Sequence, residues 1–187
     1  MLSIPEYLKK SFISLYWVII MKNLKSYIIW GTIFVSILGT LGHFIYQWSG
    51  KNPIIGLFFS TNESTWEHMK LLFFPMIFYS YFMNKSLKSQ YPAVTSALFF
   101  GIFFGTVLIP IIFYTYSGIL GFNLTFLDIS TFYVSVIIAF ISVYNLTLSQ
   151  RAEKYKTLLF TLLAIFFVSF LVFTTFPPNL GIFISPV

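Results

Sequence analysis

Residues 92–116, PAVTSALFFGIFFGTVLIPIIFYTY, run from end to end without a charged side chain. A helix rises about 1.5 Å per residue, so about 20 apolar residues cross the hydrocarbon core of a bilayer. This stretch is long enough to cross with a tilt, or with a kink at Pro110, whose ring removes a backbone donor. Four other stretches read the same way, at about 27–48, 65–83, 128–148 and 157–176. The one at 65–83 opens with a polar turn near the interface and carries Pro75 as a second kink. The fold class expected is therefore all-α, a polytopic transmembrane bundle of about five spans forming a single domain over 26–187.

Composition argues in the same direction. The 187 residues are 58% hydrophobic and 9% charged, with a mean hydropathy of +0.87. A soluble domain carries about 25% charged residues. A chain of this length has too little interior to hide so much apolar surface, so the lipid bilayer is its first partner. The absence of cysteine excludes disulfides, thiolate metal ligands and a cysteine nucleophile. No nucleotide-binding loop, dinucleotide fingerprint or serine-hydrolase elbow occurs.

The net charge of +6 would suggest nucleic acid in a soluble protein, but here the positive residues sit in short loops. Lys9, Lys10, Lys22 and Lys25 precede the first span. Lys85 and Lys88 follow the second, and Arg151, Lys154 and Lys156 follow the fourth. The other loops hold only Lys51, while Lys70 lies inside the second span. The positive-inside rule then places the N-terminus in the cytoplasm and the C-terminus outside the cell membrane. Nucleic acid is not a partner on this reading, and no protein partner is named by the sequence. Residues 1–25 read as a cytoplasmic or interfacial segment. Phe12–Met21 is too short to span and follows Lys9-Lys10, which suits an amphipathic surface helix. Met21-Lys22-Asn23-Leu24-Lys25 would also make a natural start for the chain.

Placed on this topology, the scarce ionisable groups collect in one layer. His43 lies near the outer end of span one. Glu63, Glu67 and His68 open span two on the same side, and Asp128 opens span four. Ionisable groups in membrane segments are costly and mark function by default. Polar stripes point to the same layer: Thr32, Ser36, Thr40, His43 and Gln47 in span one, and Asp128, Thr131, Ser135, Ala139, Ser142 and Asn145 in span four. In lipid such stripes turn toward other helices or a water-filled cavity. Ala97, Gly101 and Gly105 form a small-residue ridge that lets a second helix approach.

Each residue also has a plain structural use. Ser60-x-x-Glu63 and Ser64-x-x-Glu67 match capping boxes. Lys70 can pair with Glu67 and snorkel outward. Asp128 can cap span four, and Trp66, Trp48 and Tyr46 suit an outer aromatic belt. Capping accounts for one acid but not for two beside a histidine. Two histidines and a carboxylate with an open water position are a known catalytic set for zinc or another divalent ion. On the helical wheel Glu63, Glu67 and Lys70 fall on one face, which favours a metal set of His43, Glu67 and His68 with Glu63 and Glu67 in acid–base roles. Lys70, Asp128 and Gln47 complete the polar layer.

Gly42-His43-Phe44-Ile45-Tyr46-Gln47-Trp48-Ser49-Gly50 and Asn62-Glu63-Ser64-Thr65-Trp66-Glu67-His68-Met69-Lys70-Leu71 together resemble a family of small multi-pass bacterial membrane proteins of unknown function, common in Firmicutes. The resemblance covers most of the chain from about Met21. It implies a membrane location and no established activity. Relatives often carry an acidic residue in a Pro-Pro tail; here Pro177-Pro178 is present but Ile184-Ser185-Pro186 has no acid. Two functions from different classes follow from the residues. One is a metal-dependent membrane enzyme acting on a lipid or an envelope precursor. The alternatives are a small-molecule-binding or transport subunit, and a structural or assembly protein without catalysis.

Overall fold

The computed structural model describes residues 6–185, with side chains from Leu24 onward. The described part is helical throughout. Helix α1 spans Glu6–Trp48, α2 is the single turn Pro53–Gly56, α3 spans Thr65–Leu87, α4 Val94–Leu120, α5 Thr125–Ser149 and α6 Lys156–Thr175. Short 3₁₀ turns at Glu153–Tyr155 and Gly181–Phe183 flank α6. The ends of α3 to α6 fall within a few residues of the apolar stretches; α4, for example, stops at Gly121 in the left-handed region. The interfacial segment expected over 1–25 has its side chains outside the described residues; the backbone from Glu6 continues into the first span without a break.

Among the described residues four helices are long and apolar enough to cross a membrane: α1 from Leu24, α4, α5, and α6 with its preceding turn. Helix α3 matches them in length but is less apolar, and it is the element most enclosed by its neighbours. Helices α1, α3, α4 and α5 pack in a ring in that order, and α6 lies against α4 with its side chains reaching α3. The ridge Ala97, Gly101 and Gly105 lies at the α4 crossing. A Cβ on Gly105 would stand 2.7 Å from Ala139 Cβ of α5, which is why no larger residue fits there. Gly39 and Gly42 do the same for α1, whose backbone passes close to Leu71 of α3 and to Phe59. That close crossing sets the end of α1 beside the start of α3.

The α6 side of α3 is aromatic. Trp66 packs in tilted and edge-on contacts against Phe170, Phe173 and Phe183, and Phe73 in tilted contacts against Phe166 and Phe170. Trp66 is therefore buried core and not part of an aromatic belt, whereas Trp48 is exposed. Of the four acids whose side chains are described, three lie at the end of the bundle where α1 finishes and α3 starts. The fourth, Glu153, is at the opposite end, where it accepts from Ser96 and Lys156.

Candidate functional site

The site is built by two turns. Ser49 and Gly50 end α1, with Gly50 and Lys51 both in the left-handed region at φ of 70° and 60°. Asn52 then caps α2 by accepting from the Ile54 amide at 2.9 Å, with Pro53 in the first turn. After α2 the chain folds back toward α3. Asn62 Oδ1 accepts from the Ser64 amide at 2.8 Å, an Asx turn, and Ser64 caps α3 by accepting from the Glu67 amide. Helix α3 therefore begins at Thr65. Glu63 belongs to the turn before it and is free to face α1.

It does so. Glu63 Oε1 lies 3.3 Å from His43 Nε2, and Glu63 Oε2 lies 3.6 Å from His68 Nε2. The two imidazoles face each other with centroids 5.3 Å apart, and one donor atom from each of the three residues lies within 4.8 Å of the other two. Tetrahedral zinc with bonds of about 2.0–2.2 Å holds its ligands roughly 3.3–3.6 Å apart; each histidine meets one Glu63 oxygen at that spacing, His43 at Oε1 and His68 at Oε2. His68 Nδ1 lies 2.9 Å from the Ser64 carbonyl. A carbonyl can only accept, so Nδ1 carries a hydrogen. In the neutral ring Nε2 then presents a lone pair to a carboxylate, which is repulsive unless a proton or a cation stands between them. A backbone carbonyl that fixes the tautomer in this way is the usual outer support of a metal-binding histidine.

Glu67 is placed differently. As the third residue of the helix, it turns away from the histidines and is almost fully buried. Its Oε2 accepts from the Thr61 amide at 2.8 Å, the Thr61 hydroxyl at 3.0 Å and Lys70 Nζ at 2.6 Å. Lys70 does not snorkel outward. It is wholly buried, and its three protons go to Glu67, the Gly56 carbonyl at 2.7 Å and Thr174 Oγ1 at 2.9 Å. Only half of the Ser64–Glu67 capping box forms, because the Glu67 carboxylate is engaged by Lys70 and Thr61 instead of the Ser64 amide. The structure thus brings His43, His68 and Glu63 together and assigns Glu67 to a separate ion pair.

The three converging residues line a cleft of about 730 Å³ between α1, α3, α4 and α5. Asp128 stands on its α5 wall and accepts a hydrogen bond from the Tyr116 hydroxyl of α4. It does not cap α5, whose cap position is Leu124. Gln47 is exposed and takes no part in the cleft. Apolar side chains such as Leu71, Ile109, Phe113 and Phe132 make up most of the remaining wall. Tyr116 and Tyr133 were not singled out by the sequence, since nothing separates them from the ten other tyrosines.

In comparisons with known proteins, residues 16–187 match the family described as Family of unknown function (DUF6512). No curated protein and no solved structure matches the chain.

Proposed function

The chain belongs to DUF6512, a family of unknown function, and from its residues we propose a membrane protein with a divalent-metal centre formed by His43, Glu63 and His68, acting on a lipid or an envelope precursor. The observation that carries this reading is the convergence of two imidazoles and one carboxylate, with one donor atom of each within 4.8 Å of the others and the His68 Nδ1 turned to the Ser64 carbonyl. Three protein ligands leave a fourth tetrahedral position for water, the arrangement of catalytic rather than structural zinc. A metal there would polarise a carbonyl or supply a hydroxide near neutral pH. Asp128, on the facing wall, is the carboxylate available to exchange a proton with a bound ligand. The lysine and arginine distribution supports placing this centre at the outer face of the cell membrane.

A second reading, capture of a small molecule without chemistry, is favoured by the size and largely apolar lining of the cleft. Metal content decides between them first. We expect the protein purified in detergent to carry about one zinc or similar ion per chain by elemental mass spectrometry, reduced to background in His43→Ala and Glu63→Gln. Absence of metal from wild type after reloading with zinc would overturn the metal-centre reading and leave ligand capture.

A further inference from the structure

The cleft has two properties beyond its metal-ligand set. First, among the described residues its wall carries Glu63 and Asp128 but no lysine or arginine. The nearest basic side chain in sequence, Lys70, is buried and spent on Glu67, Gly56 and Thr174. Phosphate-bearing ligands are normally held by Arg or Lys in addition to any metal. A bound divalent ion would only cancel the two carboxylates already present. Ser64 caps the N-terminus of α3, and the Asp128 carboxylate in the first turn of α5 offsets the positive end of that helix without capping it. Among the described lining residues only His43 and His68 could carry positive charge, and both are committed to Glu63 and the metal set.

Second, the cleft reaches the lipid-facing surface between α1 and α5. Phe44 and Ile129 line it and are nonetheless exposed, at 47% and 54%. The seam beside them is bridged by one polar contact, Thr40 Oγ1 to Tyr133 Oη at 2.9 Å. The Thr40 hydroxyl donates to the Ser36 carbonyl at 2.8 Å, so Tyr133 donates to Thr40. Both residues line the cleft and both are exposed. On a surface facing hydrocarbon the Tyr133 hydroxyl would otherwise lack a partner, so its bond to Thr40 closes the seam and satisfies it.

We propose that the cleft binds an amphiphile with an uncharged headgroup, admitted sideways from the bilayer between α1 and α5 past the Thr40–Tyr133 contact. The headgroup lies among His43, Glu63 and Asp128, and the chains leave along Phe44 and Ile129. This rests on the outer-leaflet site proposed above and narrows its ligand to neutral lipids such as diacylglycerols, setting aside phospholipids.

The test uses the absence of native cysteine. Full-length protein in vesicles is given a diazirine-bearing diacylglycerol or the matching phosphatidic acid, irradiated, and mapped by peptide mass spectrometry. Diacylglycerol should label peptides containing Phe44 and Ile129 at least tenfold more than phosphatidic acid does. The Thr40→Cys/Tyr133→Cys variant, bridged by a short bifunctional thiol reagent with a cleavable disulfide, should lose that labelling and regain it on reduction. Recovery of labelling on reduction controls for damage to the fold. Equal or stronger labelling by phosphatidic acid would overturn the headgroup assignment, and unchanged labelling of the bridged variant would overturn the route. Metal content of the same samples reports on the metal centre independently, so failure of one reading is distinguishable from failure of the other.

Discussion

Glu63 and Glu67 are four positions apart and chemically identical, yet the fold gives them opposite tasks. Glu63 is largely exposed and faces two histidines, while Glu67 is buried against Lys70. Breaking a buried ion pair leaves an uncompensated charge and costs about 3–5 kcal/mol. Lys70→Met should therefore lower the melting temperature in detergent strongly, and the Glu67→Gln/Lys70→Met double variant should recover part of the loss. Glu63→Gln should leave the melting temperature of the metal-free protein nearly unchanged while abolishing metal binding. Equal destabilisation by the Glu63 and Glu67 substitutions would contradict this division. The sequence located the polar layer, because His43, Glu63, His68 and Asp128 were visible as rare ionisable residues at one level. It could not separate the two glutamates. A helical wheel applies only inside a helix, and Glu63 precedes the Ser64 cap, so the 100° spacing used to place it on the Glu67 face did not hold. Lys70 was misjudged because its partners, Gly56 and Thr174, come from distant parts of the chain.

At the scale of the elements, close approach of helices does the positioning. Four of the five expected spans match helices long and apolar enough to cross, while 65–83 matches α3 in length only; the ridge Ala97, Gly101 and Gly105 was legible from its spacing, but its partner was not, since a small residue does not name what it meets. The structure supplies Ala139 and Val143 of α5. Gly105→Val should force α4 from α5 at a cost of about 1–3 kcal/mol, read as a lower melting temperature. Gly118→Ala is the matching control in the same helix. Nothing lies within 4 Å of a Cβ added there, so it should be neutral or slightly stabilising. The α2 turn was invisible to hydropathy, being four residues long, yet it delivers the Gly56 carbonyl to Lys70.

For the whole molecule, orientation decides which side of the membrane the histidine layer serves. Nine of the eleven basic residues lie in alternate segments, which predicts Lys51 outside and Lys88 inside. Because the chain has no cysteine, Lys51→Cys in intact cells should react with a membrane-impermeant maleimide, and Lys88→Cys only after permeabilisation. The reverse pattern would turn the candidate site to the cytoplasm. Helix α3 carries a further consequence, for the order in which the protein is made. It bears a buried ammonium and carboxylate, and it is not among the four helices apolar enough to cross unaided. Each such charge opposes insertion by about 2.5–3.5 kcal/mol at mid-membrane and by less near the interface. Thr174, which completes the Lys70 shell, is synthesised about a hundred residues later. During biogenesis α3 must therefore be held at the insertion machinery or near the interface until α6 emerges, so that truncation before α6 should expose the nascent protein to quality-control proteolysis.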